Sequence, residues 1–571
     1  MDGENENGQS SSPRQKDKSL PGHDIFCTPE NSNFLSKTPY KTLDPARREI
    51  RLIKVLPDPG SGRAVECELL PSAPIAELRG KYLALSYCAG NPRNTDVILV
   101  NGVKCNVFAN LCHALKCARH FWAKQANPGD QDFLLLWADQ ICINQADLSE
   151  RSHQVGFMSD IYESAQQTLV CLSTSNTEGR GMKWFIEISK NKDHTWPQTL
   201  RESLYPENPA TDILEDMVAF YDEIIESPWW SRAWVFQEFM VSAHATFLSG
   251  HHDISWEEAR LTLERCNSLV HVFYGPFLMV HIAFIIEVLK VKEWHHDGVL
   301  EAASRVELMF ETKASWEGTS NLTALLIHSK NCQASDDRDS IYAFIGLADP
   351  GYGIIPDYSA DNTLVDVLTE TTKSIILFEN SLKILSVFRY RQVPQLPQPP
   401  QLAKQWGLPS WAVDWTKIGV WYDNPDSLSY DVVDRSKPVR KGSKAIASFR
   451  KTRHPETRLE TTVIEVLGIS IKELDYAHRS RFIVTSAQKE PVDLLKPVNV
   501  FDAHLCSTED GGVFEPWILF GPPWLFILEH KPYGYEIWEC LDEDYRSYGA
   551  HMPYWEAAIM GSSARRVISI F

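Results

Sequence analysis

Phe133, Leu134, Leu135, Leu136 and Trp137 form a continuous apolar run, and polarity then changes abruptly. Asp139, Gln140, Cys142, Asn144, Gln145 and Asp147 crowd into a short connection. An unbroken apolar run of this kind suits a strand buried on both faces, as in a parallel sheet. Past the connection, Val155, Met158, Tyr162 and Ala165 recur at helical spacing, with Glu150, Arg151 and Gln154 on other faces. Ser149 is placed to cap that helix. The unit is strand, polar loop, helix. In open α/β sheets, ligands bind where such loops leave the carboxyl ends of the strands.

The same alternation extends to both sides. Ile50–Leu56 reads as a strand, with Cys67–Leu70 as its return. Tyr82–Tyr87 is the next strand, broken at Gly90, Asn91 and Pro92. Val97–Val100 and Val103–Cys105 flank Asn101-Gly102, a hairpin signal because a type I′ turn needs positive φ at both positions. A helix with Leu111, Leu115, Ala118 and Trp122 on one stripe follows, and Thr168–Leu172 is a further strand. Ser173–Pro209 reads as loop, Ile213–Ile225 as helix, residues 229–240 (WWSRAWVFQEFM) as another helix, and Ala245–Leu248 as a strand. This alternation predicts an α/β domain at about 45–250 with a mainly parallel sheet.

Residues 251–390 are mainly helical in pattern. Within them, Pro276–Leu289 is the most apolar stretch, but it is shorter than the roughly 20 residues of a membrane helix. Residues 391–571 open with the Pro/Gln-rich Gln392–Gln401 and continue as a mixed, strand-rich region. Its candidate strands are Thr462–Val466, Phe482–Thr485, Trp517–Phe520, Leu525–Leu528 and Tyr535–Trp538. Residues 1–40 are polar, without apolar periodicity, and read as a disordered tail.

Composition narrows the partners. The net charge of −19 argues against general nucleic-acid binding, which favours basic patches. Twelve cysteines without a C-x-x-C pair read as buried thiols of a reducing compartment. With no secretory signal and no membrane span, the expected location is cytoplasmic.

The central stretch also carries a specific pattern. Trp137, Asp139, Cys142, Ile143, Asn144, Gln145, Asp147, Glu150, Arg151, Gln154, Val155, Met158, Ile161, Tyr162 and Ala165 stand at fixed spacing. Together they resemble the central motif of the fungal heterokaryon-incompatibility (HET) domain. Y-x-A-L-S-Y at Tyr82–Tyr87 is similar to that domain's opening, although Cys88 and Ala89 replace the usual Val-Trp before Gly90. Asn110, Leu111, Ala114 and Leu115 fit as well. So do Ser231, Arg232, Trp234, Gln237 and Glu238 as S-R-x-W-x-x-Q-E, the cluster Asp336–Ala343, and Leu408–Trp415.

This resemblance implies a role in nonself recognition, in which incompatible fusion triggers growth arrest or cell death. The expected partner is another incompatibility protein or a second copy of the chain. The HET domain in turn resembles the Toll/interleukin-1-receptor (TIR) domain, a flavodoxin-like sheet, and some TIR domains cleave NAD with the glutamate of a W-x-x-x-E helix. Carried over, that implies Glu238 as catalytic carboxylate. Ser86, Tyr87, Gly90, Asp139, Asn144, Gln145 and Trp234 would surround NAD as a substrate; no firm cofactor is implied. Glu150, Arg151, Gln154, Arg232 and Gln237 are motif residues expected to hold the scaffold. A non-enzymatic adaptor acting by assembly is the alternative.

Each candidate has a plainer reading. Glu238 stabilises an oxocarbenium-like centre, or it pairs with Arg232. Asp139, Asn144 and Gln145 line a pocket, or they tie down their own loop. Glu150 and Arg151 bind a ligand, or they lock their helix to the sheet. Cys142 with His153 reads as packed core rather than as a thiol nucleophile. Cys112, His113, Cys117 and His120 lie on one helix, which cannot aim all four inward, so no metal site is expected. Asp336–Asp339 reads as a capped helix start.

Overall fold

A computed structural model describes residues 29–38, 40–58, 60, 64–125, 133–174, 179–190, 211–264, 296–328, 332–382, 384–385, 407–416, 447–456, 458–470, 513–519, 525–532, 534–540 and 566–570. The first eleven strands are β1 (Glu49–Ile50), β2 (Ile53–Val55), β3 (Glu66–Leu69), β4 (Ala73–Pro74), β5 (Leu83–Tyr87), β6 (Thr95–Val100), β7 (Val103–Phe108), β8 (Leu134–Trp137), β9 (Gln167–Cys171), β10 (Ala245–Ser249) and β11 (His252–Ser255). Nine of them make one sheet in the order β11-β10-β9-β5-β8-β2-β3-β6-β7, and β1 pairs with β4 beside it.

The centre of this sheet, β10-β9-β5-β8, is parallel throughout. The three strands expected from apolar runs, Tyr82–Tyr87, Leu134–Trp137 and Thr168–Leu172, are therefore neighbours and mutually parallel. The sheet as a whole is mixed rather than mainly parallel. The pairs β8–β2, β2–β3, β6–β7 and β10–β11 are antiparallel, joined by hairpins and by a return strand. Asn101 and Gly102 both take positive φ, so the hairpin at this pair forms as its residues require.

Strands alternate their side chains between two faces, and β9 shows the result. Leu169 and Cys171 belong to one apolar core, with the helices Ala109–Gln125 and Met158–Ser164; Val170 and Leu172 belong to another. That second core takes in Trp229, Trp230, Phe239 and Phe247, then Phe310, Tyr342 and Phe344, and reaches Trp411 and Ile570. Downstream helices are His296–Ala314, Leu322–His328, Asp339–Ile345 and Leu364–Glu379. The C-terminal strands are β12 (Ala447–Arg453), β13 (Glu460–Ser470), β14 (Val513–Leu519), β15 (Leu525–Lys531), β16 (Gly534–Cys540) and β17 (Arg566–Ile570). They form a second sheet, and β17 pairs with both β16 and β13, so the strands from β13 to β17 close on themselves.

Several local expectations change. Order begins before residue 40: Pro29–Asn31 is a 3-10 turn and Ser32–Lys37 a helix whose Phe34 is fully buried. Asn31 also exchanges hydrogen bonds with the backbone of Asn106. Burying one Phe contributes about 1.5–3 kcal/mol, enough to pin a short segment that lacks periodicity. Residues 1–28 lie outside the described residues, as do Pro276–Leu289, Gln392–Gln401 and Phe482–Thr485. Arg180–Lys190 is a helix within the stretch read as loop. Asp147, not Ser149, caps the helix Leu148–Val155, its Oδ1 accepting from Ser149 N and Glu150 N. Among the described residues, no helix is long and apolar enough to cross a membrane.

The stretch 229–240 is not one helix. Ser227 caps a 3-10 turn, Pro228–Ser231, and Pro228 fits its first position. The chain then extends at Arg232 to form a bridge with Gln333, Ala233 N donating to Gln333 O at 3.3 Å. The α-helix starts only at Val235 and runs to Met240. Extending Arg232 frees its side chain to fold back on the helix that follows.

Candidate functional site

The carboxyl end of β5 meets the short helix Val235–Met240 at a buried polar cluster. Ser86 sits on β5 with no exposed surface, and Glu238 is 2% exposed. Ser86 Oγ donates to Glu238 Oε2. Trp229 Nε1 donates to Ser86 Oγ at 2.7 Å. The extended Arg232 closes the other side, its NH1 at 3.2 Å from Oε2 and NH2 at 3.3 Å from Oε1. Both carboxylate oxygens are thus engaged. Burial pushes the Glu238 carboxyl above its ordinary range, opposed by the Arg232 charge and the Ser86 bond. The fork geometry of a guanidinium matches a carboxylate in two places at once, which suits Arg rather than Lys here.

Tyr87 and Asp139 stand next to this cluster. Tyr87 Oη donates to Asp139 Oδ1 at 3.0 Å. Burial, then the Asp139 charge, raises the Tyr87 phenol well above its usual range, so it stays a donor. Asp139, Arg232 and Cys88 are half-buried and form the solvent side of the cluster. The structure therefore brings Ser86, Tyr87, Asp139, Arg232 and Glu238 together.

Other expected residues face elsewhere. Gly90 lies at the rim with φ +77, and a Cβ there would stand 2.4 Å from Asn110 Nδ2, whose amide donates to Cys88 O. Asn144 N donates to Glu150 Oε1 at 2.7 Å, so Glu150 ties down the loop's backbone there, and Gln145 Nε2 donates to Asp139 O at 3.0 Å. Trp234 sits at the start of its helix and hydrogen-bonds Asp339. The hydrogen bonds of the Glu238 carboxylate go to Ser86 and Arg232.

The motif residues make the frame. Glu150 pairs with Arg51 at 2.6 Å, and Arg51 also donates to Cys142 O and Lys41 O. Gln154 Nε2 donates to Glu49 O and Gln237 Nε2 to Tyr342 O. Arg151 turns outward over the Tyr358 ring at 4.1 Å, and Tyr358 Oη donates to Asp339 Oδ1. Asp336 and Arg338 pair at 2.8 Å, and Arg338 NH1 reaches the carbonyls of Asp357, Ser359 and Asn362. This charged cluster clamps a loop.

Cys142 is buried, its Sγ accepting from Ala138 N, and burial raises its thiol to about 12. His153 packs edge-on against Phe157, so no activated thiol arises there. Ser86 was expected on the loop side, but its bond to Trp229 had no local signal, since 143 residues separate the two. Lys313 was not singled out either. It is buried and donates to the carbonyls of Phe239, Met240 and Ser242, which end the helix carrying Glu238. Burial lowers its amine to about 8.

The L-S-Y strand, the D-x-x-C-I-N-Q loop and the S-R-x-W-x-x-Q-E segment converge at the carboxyl ends of parallel strands, and the similarity to known proteins falls on this same stretch. Residues 82–238 match the family described as Heterokaryon incompatibility protein (HET), from the first residue of the L-S-Y strand motif to Glu238. Among curated proteins, the chain is similar to "Heterokaryon incompatibility protein 6, OR allele" of Neurospora crassa, 27% identical over 380 residues. That similarity covers 58% of this chain and 53% of the relative, so the chain spans about half the length of the curated relative it matches. No solved structure matches.

Proposed function

We propose that this chain acts in heterokaryon incompatibility, as a nonself-recognition effector that brings on growth arrest or cell death when another incompatibility protein, or a second copy, engages it. The HET motif and the name of the Neurospora relative support that role. The observation that carries the mechanism is the position of Glu238. In chain order the parallel strands β5, β8, β9 and β10 lie as second, first, third, fourth. That is the flavodoxin-like order, whose ligand crevice falls between the first and third strands. Ser86 is the penultimate residue of the first of these, β5, and Ser227 Oγ donates to Leu172 O just past the third, β9. Glu238 and Arg232 lie over this crevice, which supports a TIR-like reading.

On that reading the resting form is latched, with Arg232 holding the carboxylate. Release of Arg232 turns Glu238 toward the ribose of a bound NAD. The bond between the ribose anomeric carbon and the nicotinamide nitrogen breaks, and its electron pair leaves with nicotinamide. Glu238 offsets the positive charge left on the sugar. Water adds to that carbon and loses a proton, giving ADP-ribose.

The second reading, a non-enzymatic adaptor acting by assembly, is favoured by the same carboxylate being 2% exposed with both oxygens paired. Expression of the whole chain separates the two. The enzyme reading expects toxicity and a fall in cellular NAD, both abolished by Glu238→Gln at equal protein level. Toxicity that persists in Glu238→Gln with NAD unchanged rules out the enzyme and leaves the adaptor.

A further inference from the structure

On the opposite face of the sheet from Glu238, the helix Ala109–Gln125 lies against the end of β9. His113 and Cys117 are four residues apart on this helix and so share a face. Cys171, the last residue of β9, meets them from the sheet. His113 Nε2, Cys117 Sγ and Cys171 Sγ all lie within 4.8 Å of one another, and all three residues are buried. Cys117 Sγ stands 3.5 Å from His113 Nε2. Ser173 Oγ adds a fourth polar atom, 2.7 Å from His113 Nε2 and 3.8 Å from Cys171 Sγ.

We propose that His113, Cys117 and Cys171 form a zinc site, with the Ser173 hydroxyl or a water at the fourth corner. The donor set is two thiolates and an imidazole, the ligands zinc takes most often. Tetrahedral zinc has Zn–N near 2.0–2.1 Å and Zn–S near 2.3 Å, which sets neighbouring ligand atoms about 3.5–3.8 Å apart. The His113–Cys117 separation already has that value. One helix cannot supply four inward ligands. The fold answers this by drawing the third from another element, while Cys112, on the same helix, turns to Asp96 instead.

The remaining thiols of this core differ in kind. Cys67, Cys105 and Cys142 are buried without an imidazole partner among the described hydrogen bonds. One turn beyond Cys117, His120 meets His251 at 4.3 Å between ring centres, His120 half-buried and His251 exposed. Binding releases the thiol protons and joins the helix Ala109–Gln125 to β9. It thereby braces the strand whose end forms one wall of the crevice under Glu238. This inference does not depend on the NAD reading.

The test uses the full chain, purified with its thiols reduced. Elemental analysis should find zinc at one per chain, removable by chelator. Cobalt added to the zinc-free protein should give thiolate charge-transfer absorption and the visible bands of a tetrahedral ion. Cys117→Ser and Cys171→Ser should each weaken zinc by more than the about 10–100-fold that loss of an outer partner costs. Cys142→Ser should leave binding unchanged. The wild-type cobalt spectrum needs no variant to fold. Folded, reduced wild type that binds neither zinc nor cobalt overturns the proposal. So does a cobalt spectrum unaltered by Cys171→Ser, or a Cys117–Cys171 disulfide found by mass spectrometry in place of metal.

Discussion

Arg51 meets Glu150 beside β2, and Arg232 meets Glu238 at the carboxyl end of β5. Both are buried arginine–glutamate pairs in the same domain, and they are built to different standards. The Arg51 and Glu150 side chains are 3% and 7% exposed, their bonds are 2.6 and 2.9 Å, and Arg51 also stacks over Tyr40. Glu150 further accepts from Asn144 N, so the pair fixes both the helix Leu148–Val155 and the loop before it. The Arg232 side chain is 16% exposed, its bonds are longer at 3.2 and 3.3 Å, and it stands on an extended residue between two helical turns. The difference is that between a fully enclosed ion pair and one whose arginine solvent can reach. A guanidinium that solvent can reach loses less when it leaves its carboxylate than one enclosed on all sides.

The sharpest way to break this comparison is to remove one arginine of the enclosed pair. Arg51→Ala leaves Glu150 buried without its cation, which should cost about 3–5 kcal/mol in denaturant unfolding of the full chain. A loss below about 1 kcal/mol would make the two pairs equivalent.

Asp339 offers an intermediate case, a buried carboxylate held by Tyr358 Oη with Arg151 nearby but no forked arginine on it. Burial pushes its carboxyl from the ordinary 3.8 up to about 6, against the Tyr358 bond and the Arg151 charge. The folded value lies above the unfolded one, so folding takes up a proton between those values. Its contribution is fully present below about 3.8 and is lost as pH rises through about 6, with a span on the order of 2–3 kcal/mol. Asp339→Asn should flatten stability over that window in denaturation curves taken at successive pH. An unchanged slope would show that Asp339 is not the group that titrates.

Much of this frame was legible in the chain. The apolar runs at Tyr82–Tyr87, Leu134–Trp137 and Thr168–Leu172 named the parallel core because strands buried on both faces leave no polar alternation to misread. Asn101-Gly102 fixed its hairpin by backbone geometry alone. The pairing of Glu238 with Arg232 was visible too, as near neighbours of opposite charge. What was not legible depends on separation. Arg51 lies 99 residues from Glu150, and Ser86 lies 152 from Glu238, so no local pattern links them. The indole contact of Trp234 was not legible, for the same reason. Trp234 caps the helix in helical conformation, and Glu238 N donates to its carbonyl at 3.2 Å, but its indole hydrogen-bonds Asp339, which lies 105 positions further along the chain. Cys171 completed the thiol cluster from a strand that its helix-bound partners could not announce.

The smallest stability effect is expected at the site itself. Glu238→Gln keeps shape and removes charge, leaving the partly solvated Arg232 to face an amide, at a cost of about 1–2 kcal/mol. That makes it the variant in which chemistry can be read apart from folding. The most direct measurement is nicotinamide release from NAD by the purified full chain as self-association is driven up by concentration. The account predicts turnover in the wild type that falls on the order of a thousandfold in Glu238→Gln while the melting transition scarcely moves. Equal rates in the two proteins, or no release from either once assembled, would contradict it.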